Sequence, residues 1–346
     1  MATSYPKKIL VVRNDKLGDF MLSFPALGLL KASLPEARIY ALVPEYTRDM
    51  AEACNWIDEV LIDKWQNKGA WANLQLLKLF RQYRFDAIIT LYSTTRIGYC
   101  AFTARIPYRL APATKLAQLF YNHRLVQRRS RSEKPEHEYN SDLVRRFCQD
   151  QKISPAHVPH PPLLQFEPEY VLKLRADFCK QHAIAIDQTL VFVHPGSGGS
   201  ARNLSTEQYA ELARQLTSEH GHTIIISAGP GEYENAHRLG DLLSDTPHVV
   251  YESREGLKLF GKHIQFADLF IGGSTGPIHV AGTLDRPTVA FYPRRRSATS
   301  LRWQTLNSPE RRLAFSPPEG VDEEDMSKID IKEVARVISH HYLGHL

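Results

Sequence analysis

Nothing in this chain is long and apolar. No run approaches the roughly 18 unbroken apolar residues that cross a bilayer. The first apolar run, Ile9 to Val12, stops at Arg13, too short for a signal-peptide core. The expectation is a cytoplasmic protein that meets a membrane, if at all, from its surface. Cysteine is scarce as well. Cys54, Cys100, Cys148 and Cys179 are far apart and form no Cys-x-x-Cys. That argues against a disulfide framework or a zinc site and for a reducing compartment. Two nucleotide-binding signatures are missing. No Gly-x-Gly-x-x-Gly follows the first apolar run, which disfavours a dehydrogenase of the usual dinucleotide type. No Gly-Lys-Ser/Thr completes a Walker A loop. Nor does one sign of charge dominate: 43 Lys and Arg against 38 Asp and Glu leave +5. This suits anionic ligands or an anionic surface without demanding either.

What is present is the composition of a globular protein. At 43% hydrophobic and 23% charged, the chain is neither disordered nor fibrous. Its 346 residues suggest two domains of roughly 150 residues each. Short apolar runs at Ile9 to Val12, Ile39 to Val43, Glu59 to Ile62 and Ala87 to Leu91 read as strands. Helical spacing lies between them, as at Leu22, Ala26, Leu29 and Leu30. A second set follows at Leu190 to Val193, Thr223 to Ile226, Val249 to Val250, Leu269 to Ile271 and Thr288 to Phe291. Alternation of this kind predicts α/β architecture with parallel sheets. Pro155, Pro159, Pro161, Pro162 and Pro168 mark the boundary. The tail, with Val334, Val337, Ile338 and Tyr342 at helical spacing, reads as a closing helix. In open α/β sheets ligands bind beyond the carboxyl ends of strands, so chemistry is expected in loops that follow strands.

Three loops carry suitable residues. The first, Arg13-Asn14-Asp15-Lys16-Leu17-Gly18-Asp19, places two carboxylates at a helix start. Asp19 reads both as a helix cap, which spacing alone favours, and as a general base, and the two do not exclude each other. The helix end would lower its pKa and burial would raise it. The second, His194 to Asn203, holds Ser197, Gly198 and Arg202 and runs into Ser205-Thr206-Glu207-Gln208, which has capping-box spacing. A glycine-rich turn at a helix N-terminus suits a phosphate, and Arg202 adds a fixed charge. The other reading is a plain strand–helix connection. The third, Gly272 to His279, places Ser274 or Thr275 as a cap and Pro277 in the first turn, with Gly276 and His279 alongside. Two such loops in one half favour a diphosphate held by two helix ends. Simple capping and a packed histidine is the alternative.

Charge is concentrated elsewhere. From Arg96 to Arg146 there are eleven Lys and Arg against four acids, a net of +7. A solvated surface is the ordinary reading. A docking face for a phosphorylated or carboxylated acceptor at an anionic membrane is the sharper one. Nucleic acid ranks last, since no nucleic-acid motif is present.

These residues resemble a known family. Arg13-x-Asp15-x-Leu17-Gly18-Asp19 with Pro25 and Leu30 looks like the opening of glycosyltransferase family 9, the ADP-heptose:lipopolysaccharide heptosyltransferases. His194-Pro195-Gly196-Ser197, Gly229-Pro230-x-Glu232 and Ser274-Thr275-Gly276-Pro277-x-His279-x-Ala281 resemble its later motifs in the same order. The likeness runs from about Lys8 to Tyr292.

The resemblance implies a GT-B fold of two Rossmann-like doubly wound domains facing a cleft. Residues 1–160 would bind the acceptor, 161–330 the nucleotide sugar, and a helix within 331–346 would pack back on the N-terminal domain. It implies inverting transfer of heptose from ADP-heptose to the inner core of lipopolysaccharide, with no cofactor and no metal. Asp19 matches the catalytic carboxylate. Ser197, Gly198, Arg202, Ser274, Thr275 and Gly276 match donor diphosphate positions, Glu232 a position near the nucleoside, and His279 the last donor motif. Ser274 stands where Asp is frequent in the family, and Arg202 where Lys is frequent. Asp15, Lys16, Arg96, Arg105, Arg109 and His137 are the acceptor-binding candidates. Partners would be the nucleotide sugar, a lipid A–Kdo or inner-core acceptor and, transiently, the anionic inner face of the inner membrane, with no nucleic acid. A nucleotide-sugar epimerase and a non-catalytic nucleotide-sugar-binding protein are the alternatives.

Overall fold

The computed structural model describes residues 5–64, 69–114, 116–196 and 202–344. The chain divides into two compact units, Met1–Arg129 with Lys134–Pro159, and Ser130–Glu133 with His160–Leu346.

In the first unit β1 (Lys8–Val12) leads into α1 (Leu17–Met21) and α2 (Phe24–Ser33). After these come β2 (Arg38–Val43), α3 (Arg48–Glu52), β3 (Glu59–Ile62), α4 (Gly69–Tyr83), β4 (Ala87–Thr90), α5 (Thr95–Thr103), β5 (Tyr108–Pro112), β6 (His123–Leu125) and α6 (Glu136–Asp150). The six strands are parallel in the order β3-β2-β1-β4-β5-β6. The order reverses between β1 and β4, which makes that point the switch where ligands gather in such sheets. Because helices cover both faces, the central strands are apolar apart from Lys8 at the start of β1 and Thr90 at the end of β4. β4 is wholly buried, and Leu10, Val12 and Ile88 pack with Leu76 and Phe80 of α4. Each such side chain contributes about 1.5–3 kcal/mol when withdrawn from water.

The helix expected after β1 is broken in two. Pro25 occupies the first turn of α2, and the Ser23 hydroxyl donates to the Phe20 carbonyl (2.6 Å) at the break. Proline lacks the N–H needed to continue the earlier helix but suits the first turn of a new one.

The second unit contains α7 (Pro168–Gln181), β7 (Leu190–His194), α8 (Thr206–His220), β8 (Thr223–Ala228), α9 (Tyr233–Leu242), β9 (His248–Glu252), α10 (Leu257–Gln265), β10 (Leu269–Gly273), α11 (Gly276–Thr283), β11 (Thr288–Phe291), β12 (Arg312–Phe315) and α12 (Ile331–Ile338). Its parallel sheet runs β12-β11-β10-β7-β8-β9, the order of the first unit repeated, with the switch between β7 and β10. α8 begins with the capping box its spacing predicts. The Gln208 N–H donates to Ser205 Oγ (3.2 Å) and the Ser205 N–H to Gln208 Oε1 (3.0 Å).

The closing helix lies in the second unit. Ile331, Val334, Ala335 and Ile338 enter the second unit's own core beside Leu212 and Leu216 of α8. Its apolar stripe fits a groove that this sheet layer already offers. Among the described residues no helix is long and apolar enough to cross a membrane.

Candidate functional site

The carboxyl end of β1 is organised around one buried guanidinium. Arg13 extends β1 and is 3% exposed. Its Nε donates to Asp15 Oδ1 (2.8 Å), Nη2 to Asp19 Oδ1, and Nη1 to both Glu136 Oε1 and Asn140 Oδ1 (3.3 Å each). Asn140 in turn donates to the Leu22 carbonyl (3.1 Å), and Arg129 donates to Glu136 (2.5 Å). Burial disfavours the charge on Arg13. The three carboxylates outweigh it and hold the guanidinium above its usual range.

Asp19 feels the opposite balance. Burial pushes its carboxyl up, Arg13 opposes, and Asp15 and Glu136 push further, so it titrates at about 6. Asp19 lies in the first turn of α1, but Lys16 occupies the N-cap position and no side chain caps the helix. The capping reading of Asp19 is therefore corrected: its carboxylate is used by Arg13. A helix of five residues has little dipole to offer, and burial decides the sign. At neutral pH Asp19 is mostly ionised, yet more basic than an ordinary carboxylate.

The acceptor candidates scatter. Asp15 is half-buried in the Arg13 cluster and Lys16 is exposed beside it. Arg96 is already committed. It makes a two-armed contact with Asp63 (2.6 and 2.9 Å), which also accepts from Asn14 (2.8 Å), and its Nε reaches Asn73 (3.1 Å). Arg105 precedes β5, and Arg109 lies in register with Ile88 near the amino ends of the strands. Both therefore sit at the opposite end of the sheet from Asp19. Linear charge density does not say at which end of a strand a residue falls. His137 is half-buried on α6, and its carbonyl accepts from Ser141 Oγ (3.0 Å).

In the second unit three strand ends carry the other residues. Ser197 and Gly198 lie outside the described residues, and Arg202 is exposed. Glu232 accepts from the Gly229 N–H (3.0 Å) and lies 3.3 Å from His194 Nε2. A Cβ on Gly196 would overlap that carboxylate, so any larger residue there would have to displace the Glu232 side chain. Asn203 fastens the same region. Its Oδ1 accepts from Tyr209 Oη (2.7 Å), its Nδ2 donates to the Pro195 carbonyl (3.2 Å), and a Cβ on Gly273 would meet it at 2.5 Å.

After β10, Thr275 is the N-cap residue of α11 but makes no side-chain cap bond, and Pro277 is in the first turn. Among the described residues Thr275 Oγ1 and His279 Nδ1 are buried with no hydrogen-bond partner. Burial drives the His279 imidazole down to about 4, so it is neutral at physiological pH. A helix start with open N–H groups and an unmatched buried hydroxyl is arranged for an anion that brings acceptor oxygens. Ser274 and Gly276 flank that turn, half-buried. Among the described residues no group of three or more His, Cys, Asp or Glu is placed to hold a metal ion.

Sequence reasoning gave no role to Glu136, Asn140, Arg129, Asp63 or Asn203. An acid in the first turn of a helix, as Glu136 is, reads as ordinary helix chemistry, so no local signal marked it. Arg13 stood inside the quoted motif and its role needed the fold.

Known proteins align with this geometry. The sequence model of glycosyltransferase family 9 (heptosyltransferase) matches residues 73–308. A Haemophilus influenzae protein whose name goes no further than glycosyltransferase is 46% identical over 91% of this chain and 90% of its own. Lipopolysaccharide heptosyltransferase 2 of Salmonella typhimurium is 24% identical over 82% of each chain. Among solved structures, Escherichia coli ADP-heptose lipopolysaccharide heptosyltransferase II superposes with a TM-score of 0.76 at 20% identity, covering 97% of this chain and 99% of that one. Escherichia coli heptosyltransferase WaaC with ADP superposes at 0.70 and 18% identity, covering 96% and 99%. The architecture is GT-B.

Proposed function

Because the chain belongs to glycosyltransferase family 9, the heptosyltransferase family, we propose that this glycosyltransferase moves heptose from ADP-heptose to the inner core of lipopolysaccharide with inversion and without a metal. The observation that carries the reading is Asp19: a carboxylate tethered by Arg13 and titrating at about 6. A base near the working pH takes a proton from an attacking alcohol better than one of ordinary acidity.

In the reaction, an acceptor hydroxyl oxygen bonds to the anomeric carbon as the bond from that carbon to the diphosphate breaks. The proton passes to Asp19, and ADP leaves with the electron pair. Attack opposite the leaving group inverts the anomeric centre. The second unit holds the donor. The α11 N–H groups, Thr275 Oγ1 and Arg202 balance charge on the departing diphosphate, with Ser197, Gly198, Ser274 and Gly276 as further donor-binding candidates. Losing one such contact costs about 100-fold or more in rate. Glu232 takes the nucleoside, and neutral His279 donates or accepts a hydrogen bond without adding charge. The names of the relatives, which include an ADP-heptose enzyme and a heptosyltransferase with ADP, support the choice of donor. Asp15, Lys16 and His137 remain the acceptor-side candidates near Asp19.

Asp19→Asn tests this. Transfer from ADP-heptose to a core-truncated lipopolysaccharide should fall by roughly 10²–10⁴, while ADP affinity by calorimetry stays within twofold. Turnover near the wild-type rate rejects the base. Turnover of the nucleotide sugar with no acceptor present points to an epimerase instead.

A further inference from the structure

The arginines expected to hold an acceptor are spent or misplaced. Arg96 pairs with Asp63, and Arg105 and Arg109 lie at the other end of the first sheet from Asp19. What the first unit exposes around Asp19 is aromatic. Tyr46 is 54% exposed and Tyr92 49%. Tyr46 lies in the 3₁₀ turn Glu45–Thr47 beyond β2, and Tyr92 just beyond β4. β2 and β4 are the two neighbours of β1, so by strand order one tyrosine stands on each side of the strand that delivers Arg13. The pairing continues into the loops. The Arg13 N–H donates to the Leu42 carbonyl (3.2 Å) and the Leu91 N–H to the Val12 carbonyl (3.0 Å).

Both rings are tied to the Asp19 cluster. The turn that carries Tyr46 packs against α1, the helix that carries Asp19. Tyr46 Oη donates to the Asp15 carbonyl. Burial, with the charges of Asp15 and Asp19, holds the phenol above its usual range, so it stays a neutral donor. The centre of the Tyr92 ring lies 6.0 Å from the Arg13 guanidinium, within reach of a cation–π contact. A lone exposed ring is ordinary on a protein surface. Two tethered rings beside one carboxylate leave apolar faces bare where an alcohol must arrive. The buried cluster next to them joins Arg13 and Arg129 to Asp15, Asp19 and Glu136, two cations against three anions. That balance disfavours an anionic group pressed against it and suits a neutral ring. Lys16 is exposed, and solvent weakens its charge.

We infer that Tyr92 and Tyr46 bind the acceptor and select a pyranose by its shape: the C–H face of the sugar lies on their rings while its hydroxyl edge is turned to Asp19. A sugar offers both surfaces, C–H groups on its face and hydroxyls at its rim. Its slightly positive C–H hydrogens suit the negative face of an aromatic ring. The inference rests on the reading of Asp19 as the base for a sugar hydroxyl, and adds the means by which that sugar is recognised.

The experiment uses the whole chain and two readouts. One is KM for core-truncated lipopolysaccharide with ADP-heptose as donor. The other is Kd for the deacylated oligosaccharide of that acceptor, by calorimetry. Tyr92→Ala should raise both roughly tenfold, the loss of one stacked ring, with kcat and ADP affinity little changed. Tyr92→Phe keeps the ring and should restore both. Tyr46→Ala should raise both about fivefold, and Tyr46→Phe by less than about twofold. The tenfold ratio should persist in about 0.5 M salt, since stacking on a neutral ring is not screened. Asp19→Asn should still bind the oligosaccharide, and still lose roughly tenfold when Tyr92→Ala is added. Binding that needs the rings in a protein that transfers no sugar would reject the transfer reading and keep this one. Four outcomes overturn the inference: no oligosaccharide binding by wild type, equal binding by wild type and both alanine variants, a Tyr92→Ala defect that Tyr92→Phe shares, or a defect that vanishes in salt. A displaced pH midpoint of kcat with wild-type acceptor KM in Tyr92→Ala also overturns it, by showing that Tyr92 acts on Arg13 alone.

Discussion

The two units put the same strand order to different uses at their switch points. At the end of β1, the fork of Arg13 is saturated by Asp15, Asp19, Glu136 and Asn140, all from the first unit. At the end of β10, Thr275 Oγ1 and His279 Nδ1 are buried with no partner among the described residues. One end satisfies its own charges and thereby fixes the basicity of a carboxylate. The other, among the described residues, leaves polar groups unmatched. A shared backbone plan does not fix chemistry. Whether the polar groups of a loop are answered from within the protein is what separates the two strand ends.

The largest test of that contrast removes the saturated centre. Arg13→Met leaves three buried or half-buried carboxylates facing one another. It should lower unfolding free energy by about 3–5 kcal/mol in urea titration. A loss under 1 kcal/mol would mean that the cluster is not held by Arg13. The open end should respond in the other direction. Thr275→Val replaces an unmatched hydroxyl with a methyl group of similar shape. It should leave the ligand-free protein as stable as before or slightly more so, while ADP affinity by calorimetry drops roughly three- to tenfold, the worth of one hydrogen bond. A less stable ligand-free variant would show that the hydroxyl is answered internally after all.

The smallest effect is in the pH profile. Asp19 must be ionised to accept a proton, so kcat/KM should rise with pH through about 6 and level off above it. Glu136 is one of the charges that raise this midpoint. Glu136→Gln should therefore move it downward, by less than one pH unit, with ADP affinity unchanged. An upward move would mean that Glu136 acts through the position of Arg13 and not through its own charge.

Much of the fold was legible because buried parallel strands are short apolar runs. Four strands of the first unit and five of the second stood out in this way. β5, β6 and β12 did not. The sequence of β5, Tyr-Arg-Leu-Ala-Pro, contains an arginine and a proline, and β6 is three residues, His-Arg-Leu. Both are hidden inside the basic stretch. The break between α1 and α2 was missed for a related reason, since the spacing of Leu22, Ala26 and Leu29 continues across it. For the site, Asp19 and the turn at Thr275 were legible because each follows an apolar run directly. Glu136 and Asn140 were not, because they reach Arg13 from α6, more than 120 residues away along the chain. Sequence spacing records what a strand delivers to its own end and is silent on what a distant helix brings to the same place.

One consequence follows from how Asp19 is held. Arg13 grips it through Oδ1 alone. The carboxylate is thus pinned at one oxygen, and with Asp19 as the proposed base the proton of an incoming alcohol would go to the other, Oδ2. The approach of the nucleophile would then be set by the tip of a strand, before any sugar has docked. Sugars of different shape would share that one angle of approach, and an alcohol unable to adopt it would go unused however tightly it was bound.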